Sequence, residues 1–291
     1  MVRENNTGKI ILFLLPMMVL YILFFLFPLL YNLSLSYQEW NGITKPSFVG
    51  WENYKNLLKD EIFLKSVKNN LLWALVNGFI QVPLAAGVAF ILARQPRFWK
   101  SLRVIYFLPK VISGVAIAMM WRAIYNPSYG VLNAFLGIFG NEPVNWLGQI
   151  GTALPAVMFQ EVVYIGYFMI IILASVMSIP VSLYEAAQID GANVFQQEMN
   201  ITIPMVKTTL ITAITLAMAY GMRHFEATFL MTNGGPAHST TVMGLLLYNK
   251  MAAFNYGEAT ATGTILIIMG TLVIIVMRRL FRDNDNASVS Q

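Results

Sequence analysis

The stretch SIPVSLYEAAQIDGANVFQQEMNITIP, Ser178 to Pro204, is a polar passage between two long apolar segments, and its reading decides the fold. Pro180 and Ser182 suit the opening of a helix, because proline fits a first helical turn and serine caps free N–H groups. That helix would run through Tyr184, Glu185, Ala186 and Ala187. Asp190 and Gly191 would stop it, since glycine accepts the left-handed angles of a helix end and aspartate favours turns. A second short helix is expected from Ala192 to about Asn200, with Pro204 starting the next apolar segment. The product is a helix–turn–helix elbow whose small residues let another protein's surface approach closely.

What surrounds the elbow is membrane. Of 291 residues, 57% are hydrophobic and only 11% charged, against about 25% charged in soluble domains. The mean hydropathy is +0.61. An apolar run of about 20 residues crosses the hydrocarbon core as a helix. Such runs lie near Ile10–Tyr31, Asn70–Ala93, Val104–Ile124, Thr152–Met177, Met205–Met231 and Ala259–Met277. The expected fold is therefore an all-α membrane protein of six transmembrane helices in one domain, with both termini on one side. The N-terminal apolar run is too long for a signal-peptide core and reads as a retained first span.

Charge supports the cytoplasm as the side of the termini. Arg3, Lys9, Arg94, Arg97, Lys100, Arg103, Arg278, Arg279 and Arg282 would then be inside, against Lys45, Lys55, Lys59, Lys65, Lys68 and Lys250 outside. Lysine and arginine in short loops favour the cytoplasmic face. The net charge of +5 is scattered among apolar spans, so it does not indicate nucleic acid. The chain has no cysteine, which excludes disulfides and thiolate chemistry. Gly8-Lys9 lacks an upstream glycine-rich loop, so no phosphate-binding motif is present. The two histidines, His224 and His238, are far apart, and no catalytic constellation assembles.

Within the outer segment, Trp51, Tyr54, Leu58 and Ile62 at helical spacing predict an amphipathic surface helix over Trp51–Lys68. The tail from Asp283 to Gln291 is expected to be disordered. Pro83, Pro109 and Pro155 fall in or near spans, where proline kinks helices and frees carbonyls.

Polar side chains inside spans are costly and face a cavity or a partner. In the fourth span Gln160, Tyr164 and Tyr167 follow i, i+4, i+7 spacing, with Glu161 and Phe168 on the same arc. In the fifth, Tyr220, Arg223 and His224 share an arc, with Glu226 three residues on. Two readings compete. The tyrosines pack between helices while Arg223 pairs with Glu226 or Glu161, or the two arcs line a cavity, which is the favoured reading for the set. A sugar suits such a cavity: rings pack on its C–H faces, and amide, carboxylate and guanidinium groups pair with hydroxyls. Asn77 and Gln81 read as interhelical hydrogen-bonding groups, and Lys110 and Arg122 as side chains that reach the headgroups.

The run Glu185-Ala186-Ala187, Asp190-Gly191-Ala192 and Ile201-Thr202-Ile203-Pro204 resembles the EAA loop of permease subunits in binding-protein-dependent ABC importers. Phe48-Val49-Gly50, Trp121-Arg122, Asn126-Pro127, Tyr129-Gly130 and Thr232-Asn233-Gly234-Gly235-Pro236 extend the resemblance to the sugar permeases of the maltose and glycerol-phosphate type. The resemblance implies a type I importer permease in a bacterial or archaeal cell membrane, with the EAA loop cytoplasmic. Glu185, Ala186, Ala187, Asp190, Gly191 and Ala192 would dock an ATPase. The implied partners are two ATPase subunits, which carry ATP and Mg, an extracytoplasmic sugar-binding protein, and a second permease subunit, with a heterodimer favoured. No cofactor is expected on this chain. The implied cargo is a sugar, an oligosaccharide in the first place and an acidic sugar or glycerol phosphate as the alternative. Tyr167, Tyr220 and His224 fall at positions matching the family's cavity, whereas Gly221 stands where a polar side chain is expected. An ion-coupled secondary transporter, with Glu161, Arg223 and His224 as a proton relay, is the rival outside the importer class.

Overall fold

The computed structural model describes residues 7–282, and side chains from residue 11. The tail from Asp283 and the basic Arg3 lie outside the described residues. Among the described residues the fold is helical apart from one two-stranded ribbon, Gln38–Glu39 against Ser47–Phe48, antiparallel with Gln38 opposite Phe48. Three helices among the described residues are long and apolar enough to cross a membrane: Ile11–Leu35, Glu61–Ala93 and Tyr256–Phe281. Three further spans are bent pairs, Trp99–Val111 with Gly114–Ile124, Ile150–Val162 with Gly166–Val176, and Val194–Met205 with Lys207–Met222.

The helices form two compact units. The first comprises the chain to Asp60 together with Leu246–Ile265. Here the predicted amphipathic helix differs. Glu52–Lys59 is a separate helix that ends at the extended Asp60, and Glu61 already begins the second span. Its buried face is Asn53 and Leu57, while Trp51 and Leu58 are exposed. The reason is tertiary: the Asn53 amide donates to the carbonyls of Ser36 and Gln38 at 2.9 Å each and so holds the ribbon. Lys250 pairs with Glu258 at 2.6 Å and Asp60 at 3.4 Å in the same unit.

The second unit, Glu61–Leu245 with Leu266 onward, carries most of the core. Val82, Ala85, Ala86, Ala89 and Leu92 of the second span pack on Phe168, Met169, Ile172 and Leu173 of the fourth and Ala213 and Ala217 of the fifth. The alanines matter because lipid supplies little drive for helix association, so small residues that permit close packing carry it. Gly221 belongs to the same logic. A Cβ there would lie 2.7 Å from the Trp73 carbonyl oxygen, so no polar side chain fits at that position.

Three wide π-helical turns, Ile22–Leu26, Asn77–Gln81 and Glu198–Thr202, each end two residues before a proline: Pro28, Pro83 and Pro204. A proline ring clashes with the carbonyl four residues back and lacks the N–H that would bond it. A widened turn accommodates both defects without breaking the helix.

Candidate functional site

The elbow is built locally. Its first helix runs Val181–Ile189 with Pro180 at the cap; Ser182 makes no capping bond. Gly191 adopts φ +77°. Its N–H donates to the Gln188 carbonyl at 3.1 Å and that of Ala192 to the Ala187 carbonyl at 2.8 Å. This is a Schellman end, which places a left-handed residue just past the helix. The next helix opens at Asn193, whose side chain accepts from the Gln196 N–H while Gln196 accepts from the Asn193 N–H. This reciprocal cap fixes the second arm. The second arm does not stop near Asn200 but runs on through the wide turn to Met205, where the chain bends by 72° into Lys207–Met222. Glu185, Ala186, Asp190 and Gly191 are exposed, and Ala187 and Ala192 half-buried. Between them stand apolar side chains that the sequence reading passed over: Ile189, 87% exposed, and Phe195, 72% exposed. The signal was an isolated apolar residue inside a polar loop. Arg94, at the end of the second span, anchors the elbow through Glu198 Oε1, at 2.7 Å from Nη2 and 3.0 Å from Nε.

Deeper in the second unit, two adjoining cavities of about 520 and 350 Å³ share Lys110, Glu161, Tyr164, Tyr220 and Arg223 in their walls. Gln160 and His224 line the first, Tyr167 the second. All seven residues singled out in the fourth and fifth spans thus meet, although not on the continuous helices that periodicity assumed. The fourth span bends by 41° between Val162 and Gly166. The fifth is interrupted after Met222 and resumes at Glu226. The third turns by 99° between Val111 and Gly114. Each break exposes backbone polar groups, which a membrane tolerates only in protein or beside a cavity.

Side chains repair and use these breaks. Gln81 Nε2 donates to the Glu161 carbonyl at 2.9 Å, between the second and fourth spans as expected for it. Trp121 Nε1 donates to the Tyr164 hydroxyl at 2.6 Å. The His224 ring stacks on Trp73 with centroids 3.6 Å apart. Gln160 Oε1 and His224 Nε2 are buried without a hydrogen-bond partner among the described residues, and so are both polar atoms of Asn77. Buried polar atoms are normally satisfied, so Gln160, His224 and Asn77 are left short of partners in this packing.

Lys110 overturns the snorkelling expectation. It lines both cavities, lies 3.8 Å from Glu161 Oε1 and stands 4.8 Å from the Tyr220 ring centroid. The turn Leu108–Val111 and the extended Ile112 swing it inward. No ion-pair partner of Arg223 is found among the described residues, so Glu161 serves Lys110 instead. The wall therefore carries Lys110 and Arg223 against Glu161 and Glu226, a balanced set.

An all-helical membrane protein whose spans break around a charged, aromatic cavity has the architecture of a transport subunit. Residues 81–285 match the family described as binding-protein-dependent transport system inner membrane component, and the chain belongs to that family. It is 34% identical over 281 residues to a probable ABC transporter permease of Pyrococcus horikoshii, covering 94% of this chain and 95% of that one. It is 32% identical over 286 residues to the trehalose/maltose transport permease MalF of Thermococcus litoralis, covering 97% and 96%. A crystal structure of a bacterial ABC transporter that imports the acidic polysaccharide alginate contains a chain of the same fold, with TM-score 0.84, 23% identity and coverage of 97% and 98%. The fold is that of a type I ABC importer permease.

Proposed function

We propose that this chain is the membrane subunit through which an ATP-driven importer moves a sugar, in the first place a neutral oligosaccharide, delivered by an extracytoplasmic binding protein. The observation that carries the reading is the convergence of three broken spans on one cavity lined by tyrosines, two cations and two carboxylates. Its volume lies within the range of small-ligand sites. Tyrosine rings suit sugar C–H faces, and the charged groups of Lys110, Glu161 and Arg223 in the wall suit hydroxyls. The balanced charge favours a neutral cargo over an acidic one. Relatives named for trehalose and maltose and for diacetylchitobiose transport support the class.

Energy would enter at the elbow. With no phosphate-binding motif in the chain, ATP and Mg would be held by two ATPase subunits, docked on Ile189, Phe195 and the flat Ala186-to-Gly191 surface on the cytoplasmic side. A second permease subunit would complete the pathway. Closure of the ATPases would draw the elbows together and bias the spans between inward-open and outward-open states, as coupling between two sites requires.

The test is ATP-dependent uptake in proteoliposomes holding the whole importer, using those neutral and uronic-acid oligosaccharides that bind its binding protein. Tyr220→Ala and Arg223→Gln should each lower uptake about tenfold, the scale of one good contact, with assembly intact. Uptake by this chain alone, abolished by an uncoupler, would overturn the reading in favour of an ion-coupled transporter.

A further inference from the structure

The cation-rich turn and helix at the start of the third span are unused by the cavity and by the elbow surface. After the second span the chain turns through Gln95 and Phe98, both at positive φ, 51° and 68°. Phe98 is an aromatic residue without the excuse of glycine, and it is 66% exposed. Non-glycine residues hold such angles only when the surroundings impose them, and they gather at functional positions. Directly beyond lies the helix Trp99–Phe107. Arg97 in the turn and Lys100 and Arg103 on the helix are exposed, and no acidic partner of theirs is found among the described residues. Among the described residues their charged groups lie over aromatic rings. Arg97 lies 5.0 Å from the Phe98 centroid, and Lys100 and Arg103 lie 5.9 and 5.6 Å from Trp99. One turn further on the surface becomes apolar, with Val104 58% and Ile105 61% exposed.

A band of cations over aromatic rings, followed immediately by exposed aliphatic side chains, matches the boundary between headgroups and acyl chains. We infer that Arg97, Lys100 and Arg103 form a binding site for anionic phospholipid headgroups, with the exposed Phe98 set in the interface beside them and Trp99 packed inward on the core. A docking site for a soluble protein would not continue into aliphatic surface at membrane depth. Arg94 is not part of it, because Glu198 neutralises it. Basic residues beside a span attract anionic lipid with roughly fivefold gain each, so three together should distinguish an anionic from a zwitterionic headgroup clearly.

The experiment is native mass spectrometry of the delipidated importer titrated with phosphatidylglycerol and with phosphatidylcholine. The wild type should retain phosphatidylglycerol preferentially, and raised salt should weaken that preference. Changing Arg97, Lys100 and Arg103 together to Gln should reduce it by at least tenfold, and Arg97→Lys with Arg103→Lys should keep it. Equal retention of the two lipids by the wild type, or unchanged preference in the triple Gln variant, would overturn the inference. Loss of co-purifying ATPase from the Gln variant with lipid preference intact would overturn it too, and would assign the cations to a protein contact.

Discussion

Replacing Gly191 by valine tests whether the elbow acts through its backbone. At φ +77° an L-residue with a Cβ costs roughly 1–2 kcal/mol, and β-branching belongs at the upper end. Steric conflict within the chain adds nothing, because a Cβ at Gly191 meets no atom within 4 Å. If the backbone instead relaxes to negative φ, the bonds closing the turn, Ala192 to Ala187 and Gly191 to Gln188, are lost at about 0.5–1.5 kcal/mol each. The left-handed route depopulates the docking geometry by about 5- to 30-fold, and the relaxed route by at least as much, without touching a membrane span. Gly191→Val should therefore insert at wild-type levels, while ATPase co-purification and uptake in proteoliposomes fall by that factor. Gly191→Asn is the control, since asparagine tolerates left-handed angles, and it should retain most activity. Wild-type uptake by the Val variant would refute the argument. An Asn variant as impaired as Val would show that the partner needs the absence of a side chain rather than the backbone angle.

Three further outcomes follow from the same geometry. Lys110→Met leaves Glu161 without its cation and removes the charge over Tyr220, so uptake should fall about tenfold or more while the co-purified complex stays intact; normal uptake would return Lys110 to a structural role. Arg94→Glu and Glu198→Arg each reverse one side of the elbow's anchor. Partly exposed pairs contribute only about 0.2–1 kcal/mol, so melting temperature in detergent should hardly move while uptake per ATP hydrolysed drops, and the double swap should restore it. Gly221→Ala drives a methyl into the Trp73 carbonyl, and a shift of the fifth span away from the second should cost about 1–3 kcal/mol, read as a lower melting temperature of the purified chain.

What could be read in the sequence was local. Asp190-Gly191 announces its turn because only the residue's own backbone freedom is involved. Asn193 and Gln196 carried an equally local signal, the spacing of a reciprocal cap, and reading it would have placed the second arm's start correctly. The cavity was legible as a set of residues and not as a geometry, since polar side chains in apolar spans must meet something. Their arrangement depends on breaks at Ile112, Tyr164 and His224, and the repair of one of them comes from Gln81, about 80 residues away. Lys110 was misread because its distance from the helix end suggested a path to the headgroups, which a 99° turn removes. The helix over Trp51–Lys68 failed for a related reason: Asn53 is buried by carbonyls of the preceding ribbon, a partner no helical spacing reveals.

The breaks and the elbow are also joined through shared helices, the second and fourth spans. The fourth span leads into the elbow through Ser178 and Pro180, so under the proposed function the helix Gly166–Val176 would act as a lever between the elbow and the cavity. Its cavity end is not rigidly continued, since the bend at Tyr164 is held from outside by Gln81 and Trp121. In the second span Arg94 holds the elbow at one end, and Gln81, about three and a half turns away, donates to the Glu161 carbonyl of the fourth. Under the proposed function, a force on the elbow would reach the backbone of Glu161, the residue that pairs with Lys110, by two helices that share both attachment points. Adjacency alone does not establish coupling; an element with two arrangements that both sites bias does. The bend at Tyr164 is the candidate, because a hinge carried by side-chain bonds can exchange partners where an intact helix cannot. If so, Gln81→Leu and Glu198→Arg should be non-additive in uptake, with the double variant little worse than the more impaired single one. Independent effects that multiply would leave the cavity and the elbow as separate devices on one chain.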